Sequence, residues 1–130
     1  MRGMTFAEVA DRALRIRQRY AEVEQTRYGR RWTAEEVVLG FVGDVGDLAK
    51  LVLAEAGVRE IPVHRERLGH ELADCLWSVL VLAHLYEIDL DREFVRTMDL
   101  LEKHLATPPR SPGQPGSTST ADPGRPPQTG

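Results

Sequence analysis

Two stretches of this chain repeat an alternating spacing of three and four residues, and each repeat carries two carboxylates. Val37, Gly40, Asp44, Asp47 and Leu51 form the first; His64, Arg67, Glu71, Asp74, Ser78, Val81 and Leu85 form the second. This alternation brings residues onto one face of an α-helix. The spacing therefore predicts two long helices, each with an acidic pair on its packing seam. Gly40, Gly43 and Gly46 work against the first, since a glycine inside a helix costs about 1 kcal/mol relative to alanine. A loop following a strand at 37–42 is the competing reading. The glycines do not follow the G-x-G-x-x-G spacing, however, and no Gly-Lys-Ser/Thr follows them, so neither phosphate-binding loop is present.

The helix boundaries have their own signals. Thr5 with Glu8 and Thr33 with Glu36 make two capping boxes, each the start of a helix. Phe6, Val9, Ala13, Ile16, Tyr20 and Val23 recur at helical spacing after the first, which predicts a helix over 5–25. The polar, basic stretch from Gln25 to Trp32 reads as a connection. The second helix is expected over 33–56, with Gly57 as its stop. Pro62 stands near the start of a third, over 63–87. Asp89 or Asp91 caps a fourth, over 89–106, and Pro108 and Pro109 end it. No alternation of period two suggests a strand outside these patterns. The expectation is an all-α fold, a four-helix antiparallel bundle spanning 1–106.

Residues 107–130 differ in kind. They hold seven of the eight prolines and four of the eleven glycines, and no large apolar residue, so a disordered tail is expected. Without them the chain carries 15 basic and 19 acidic residues, a poor balance for neutralising phosphates along a nucleic acid. Eight arginines lie within the first 31 residues, but acids are interspersed among them, and a solvated face is expected. The one cysteine, Cys75, excludes an intramolecular disulfide framework and a cysteine-rich zinc site. No apolar run follows Met1, and Cys75–Leu85 is shorter than the roughly 18 residues of a membrane span. A cytoplasmic protein without membrane contact is expected. The third helix is apolar nearly all round from Cys75 to Leu85, which calls for burial on most faces. A homodimer or homotetramer built through the second and third helices follows.

The acids define the candidate site. Asp44 and Asp47 stand 13 and 10 residues before Gly57; Glu71 and Asp74 stand 8 and 11 after Val63. At about 1.5 Å per residue, both pairs lie roughly 12–20 Å from the intervening turn. In an antiparallel hairpin all four carboxylates meet at one level. Clustered, partly desolvated negative charges repel, and a hard divalent cation with oxygen ligands, Mg²⁺ or Mn²⁺, resolves the repulsion. Lys50 and Arg67 are placed to reach phosphates or to pair with the acids, and Ser78 follows Asp74 on the seam. Trp32 either staples the start of the second helix or stands beside a ligand ring. His70-Glu71 is not a zinc-protease motif, because H-E-x-x-H requires a histidine where Asp74 stands.

At these residues the chain resembles the all-α nucleotide pyrophosphohydrolases, the MazG-like family and its relatives the dCTP pyrophosphatases. Their hallmark is E-E-x-x-E on one helix and E-x-x-D on the next. Phe41-Val42-Gly43-Asp44-Val45-Gly46-Asp47-Leu48-Ala49 is similar to the first motif, and Glu71-Leu72-Ala73-Asp74 matches the second. The likeness covers about 33–104. It departs at Gly43, which replaces the leading acid, and at Asp44 and Asp47, each one methylene shorter than Glu. It departs again at Thr97 and Leu101, where family members often carry Lys and Asn or an acid. The resemblance implies hydrolysis of a nucleoside triphosphate to the monophosphate and pyrophosphate. Asp44, Asp47, Glu71 and Asp74 would be the catalytic, Mg²⁺-holding residues, and Trp32, Lys50, Arg67 and Ser78 the substrate-binding ones. The departures keep a second expectation open, a helical binding or regulatory protein of the same ancestry with weak or no catalysis.

Overall fold

A computed structural model describes residues 3–107. The chain is all-α, with α1 at Phe6–Tyr28, α2 at Ala34–Glu55, α3 at His64–Leu85 and α4 at Leu90–Ala106. No strand occurs among the described residues, so the competing strand–loop reading of 37–47 is set aside. The tail expected from 107 onward lies, beyond Thr107 itself, outside the described residues.

Both capping boxes form. Thr5 Oγ1 accepts from the Glu8 amide, and the Glu8 carboxylate accepts from the Thr5 amide. Thr33 and Glu36 do the same at the start of α2. Each box satisfies two amides that a helix start otherwise leaves unbonded. α1 runs three residues beyond its expected end, through the polar segment taken for a connection. It stops at Gly29, which is left-handed at φ 72° and donates its N–H to the Gln25 carbonyl. The turn after α2 is a Schellman motif around Gly57, φ 76°. The Val58 amide bonds the Leu53 carbonyl and the Gly57 amide the Ala54 carbonyl. α3 ends in the same pattern, Ile88 to Ala83 and Glu87 to His84, but with Glu87 in the left-handed position at φ 53°. α3 begins after Val63, also left-handed at φ 48° and without a side-chain cap. Asp89 caps α4 by accepting from the Arg92 amide.

α2 and α3 form the tightly packed pair, and α1 lies across α3. The buried apolar residues are Val37, Leu51 and Ala54 of α2, Leu80 and Val81 of α3, and Ala13 and Ala21 of α1. Trp77 anchors α1: its indole Nε1 donates to the Ala13 carbonyl at 3.1 Å, and its ring meets Tyr20 edge-on with centroids 5.8 Å apart. α4 buries none of its residues. By length and composition α3 could cross a membrane, although the Cys75–Leu85 run within it is short; only 17% of its apolar window is buried. Its carboxylates Glu71 and Asp74 are costly inside a bilayer, and Glu71 is engaged with α2.

Candidate metal centre and adjoining groove

The hairpin brings the two acidic pairs together as their spacing requires. One ligand oxygen each from Asp44, Asp47 and Glu71 lie within 4.8 Å of one another. Asp44 and Glu71 are half-buried, and Asp47 is exposed. Asp74 completes the acidic patch but stands outside that triplet, with its Oδ2 held by His70 Nε2 at 3.1 Å. Lys50 approaches Asp47 at 3.9 Å, a loose contact between exposed groups.

Burial, and then the charges of Asp74 and Asp47, push the Asp44 carboxyl above its ordinary value. Glu71 is raised in the same way, first by burial and then by Asp44, Asp74 and Asp47. The Cys75 thiol next to the cluster is also raised, by burial first and by the acids second. Glu71 Oε2 is buried without any hydrogen-bond partner, and an unpaired buried acceptor is costly. Three convergent carboxylates, one with an orphaned oxygen, fit the all-oxygen donor set of a hard cation. The group could hold a metal ion.

Beside the acids runs a groove of about 720 Å³ between α1, α2 and α3. Asp44 and Asp74 line one end; Tyr20, Tyr28, Trp32 and Trp77 give it aromatic walls. Trp32 is held through its backbone by a buried ion pair. Arg17 Nη1 donates to Glu24 Oε2 at 2.8 Å, Glu24 Oε1 accepts from the Trp32 amide at 2.7 Å, and Arg17 Nη2 donates to the Trp32 carbonyl at 3.0 Å. Glu36, which also faces the groove, has its carboxyl lowered chiefly by its hydrogen bond from Arg30.

Of the side chains expected to meet substrate, Trp32 and Ser78 line this groove, and Ser78 is buried. Lys50 instead faces Asp47, and Arg67, one turn before Glu71, is exposed with no ion pair among the described residues. Arg17 and Glu24 escaped the sequence reading as site residues, and Tyr20 was read there only as part of the apolar period of the first helix. Glu24 left one trace, an acid one position beyond the apolar Val23 of α1. Comparison with protein-family models, with curated proteins and with solved structures finds no match to this chain.

Proposed function

We propose that this protein is a Mg²⁺-dependent nucleoside triphosphate pyrophosphohydrolase, releasing the monophosphate and pyrophosphate. The observation that carries this reading is the convergence of Asp44, Asp47 and Glu71 within 4.8 Å, with Glu71 Oε2 buried and unpartnered. The cluster opens onto a groove with aromatic walls. An acidic, cation-binding end suits a polyphosphate, and flat aromatic walls suit a base. The sequence likeness to the MazG-like and dCTP pyrophosphatase families points the same way.

In this reading Asp44, Asp47 and Glu71 hold the cation, with Asp74 beside them. When bound, Mg²⁺ or Mn²⁺ neutralises phosphate oxygens and lowers the pKa of the attacking water. A carboxylate of the cluster not committed to the cation would serve as the general base. Trp32 and Ser78 border the nucleoside, and Lys50 is within a side chain's reach of the phosphates.

A second reading, a binding protein of the same ancestry with little catalysis, draws on Gly43 and on α4. Thr97 and Leu101 are exposed there and offer the phosphates neither a cation nor an amide. Pyrophosphate release from a panel of ribo- and deoxyribonucleoside triphosphates separates the two. The hydrolase releases pyrophosphate only with Mg²⁺ or Mn²⁺. Nucleotide binding without release, across the whole panel and with either cation, assigns the second reading.

A further inference from the structure

The two tryptophans in the groove wall are held in opposite ways. Trp77 is tied down through its side chain: its indole N–H donates to the Ala13 carbonyl, and its ring meets Tyr20 edge-on. Trp32 is hydrogen-bonded through its backbone alone. Glu24 accepts from its amide and Arg17 donates to its carbonyl. Its indole N–H has no acceptor among the described residues, and the residue is 48% exposed at the groove. A ring that merely stapled the start of α2 would be packed against it. Ser78, buried in the same groove, also makes no side-chain hydrogen bond among the described residues.

The pair behind Trp32 is expensive for what it does to the fold. The side chains of Arg17 and Glu24 are 11% and 6% exposed. A buried ion pair of this kind is often matched or bettered by apolar residues of the same volume. What the charges add is direction, since a guanidinium fork and a carboxylate fix donors and acceptors in space. Here one donor and one acceptor fall on the two backbone polar groups of a single residue, which Arg17 reaches across 15 positions of chain. Beyond it, Thr33 and Glu36 close the capping box, and Arg30 holds Glu36. With the backbone fixed from both sides, only two side-chain torsions of Trp32 are left to settle.

We propose that Arg17 and Glu24 are positioning residues, which fix the Trp32 backbone before any ligand arrives and so preset its indole as a wall for a planar heteroaromatic ring. The inference rests on the reading of the groove as a nucleotide site. Neither residue acts on the substrate; both act through Trp32.

Arg17→Lys tests it, because lysine keeps a charge against Glu24 but lacks the fork that also reaches the Trp32 carbonyl. With Mg²⁺ and a triphosphate that the chain hydrolyses, KM should rise about threefold to tenfold, the ordering cost of one side chain, with kcat unchanged. Calorimetry with nucleoside monophosphates in EDTA should show affinity falling by the same factor. Affinity for inorganic tripolyphosphate with Mg²⁺, which has no ring, should not change; a misfolded variant would lose both. In a Trp32→Ala background, Arg17→Lys should weaken monophosphate binding no further. Hydrogen exchange of the unmodified, ligand-free chain needs no variant: the Trp32 and Thr33 amides should already be protected.

Amides at 32 and 33 that gain protection only when nucleotide is added overturn the proposal. So does a wild type that binds no monophosphate, an effect of Arg17→Lys that is equal with and without the Trp32 ring, or a loss of tripolyphosphate binding alongside that of monophosphate. Pyrophosphate release with an unaltered KM in Arg17→Lys overturns the positioning role and leaves the hydrolase standing. Monophosphate binding weakened by Arg17→Lys, with no pyrophosphate release from any triphosphate, upholds the positioning role and removes the hydrolase.

Discussion

The two long faces of the α2–α3 hairpin share a spacing and differ in everything else. One meets within the chain and carries Asp44, Asp47, Glu71 and Asp74; the other is exposed and carries valine, leucine and alanine. In a self-sufficient bundle the assignment would be reversed, with the acids outside. A three–four repeat therefore states which residues share a face, and says nothing of which face is inside. With carboxylates on the inward seam, the intramolecular core is left small. Only seven apolar residues are buried among the described ones.

The strongest way to break the contrast is to unfasten the inward face. Glu24→Ala leaves Arg17 buried without its partner and removes the acceptor of the Trp32 amide. Breaking a buried pair from one side costs about 3–5 kcal/mol, and urea unfolding should show a loss of that size. A loss below about 1 kcal/mol would mean that the pair is solvated, as surface pairs are.

Next in size is the metal response. At a hundredfold excess over Kd, a cation that binds only the folded chain raises stability by about 2.7 kcal/mol. Asp47→Ala should lose most of this gain in thermal melts with and without Mg²⁺, and pyrophosphate release should fall on the order of a hundredfold or more. In EDTA the variant should melt at or above the wild type, because it removes a repelling charge and a poor helix former. Equal Mg²⁺ responses in the two proteins would remove Asp47 from the site.

These experiments probe what was legible in the sequence and what was not. The capping residues Thr5 and Thr33, and the levelling of the acids across the turn, are local properties of spacing, and the structure follows them. The end of α1 was not legible, because Gln25–Tyr28 has no apolar period to extend the pattern, and only Gly29 marks the stop. The turn before α4 was legible through Asp89, which caps the helix as expected; only its left-handed position, held by Glu87 where a glycine would have announced it, was not. The Arg17–Glu24 pair and the groove it braces arise from how α1 lies across α3, a non-local packing that no local pattern encodes.

Gly46 sharpens the comparison at about 1 kcal/mol. It borders the outward seam, and a methyl added there meets nothing within 4 Å in the single chain. Gly46→Ala should therefore stabilise α2 by about 1 kcal/mol when measured at dilutions where the chain is monomeric. A smaller gain at high concentration would place a neighbouring helix against that glycine.

The smallest effect is a slope with pH. In the metal-free protein the native carboxyls of Asp44 and Glu71 titrate above their ordinary values. The folded chain then binds more protons than the unfolded one between the ordinary and the raised values. Their contribution to stability should grow as pH falls through the raised native values towards about 4. Glu36 and Glu35, lowered in the native state, act oppositely below that range. Glu71→Gln should flatten the rise in melts across pH 4–7 in EDTA; an unchanged profile would remove Glu71 as its source.

The chain contains two tryptophans, Trp32 and Trp77, and both stand in the wall of the groove. One is half in solvent, and the other is hydrogen-bonded to α1 and in edge contact with Tyr20. The protein's entire indole emission thus originates at the place where a ligand would sit. Intrinsic fluorescence is a label built into this molecule, with no distant tryptophan to dilute it, and occupancy of the groove can be read optically from the unmodified chain.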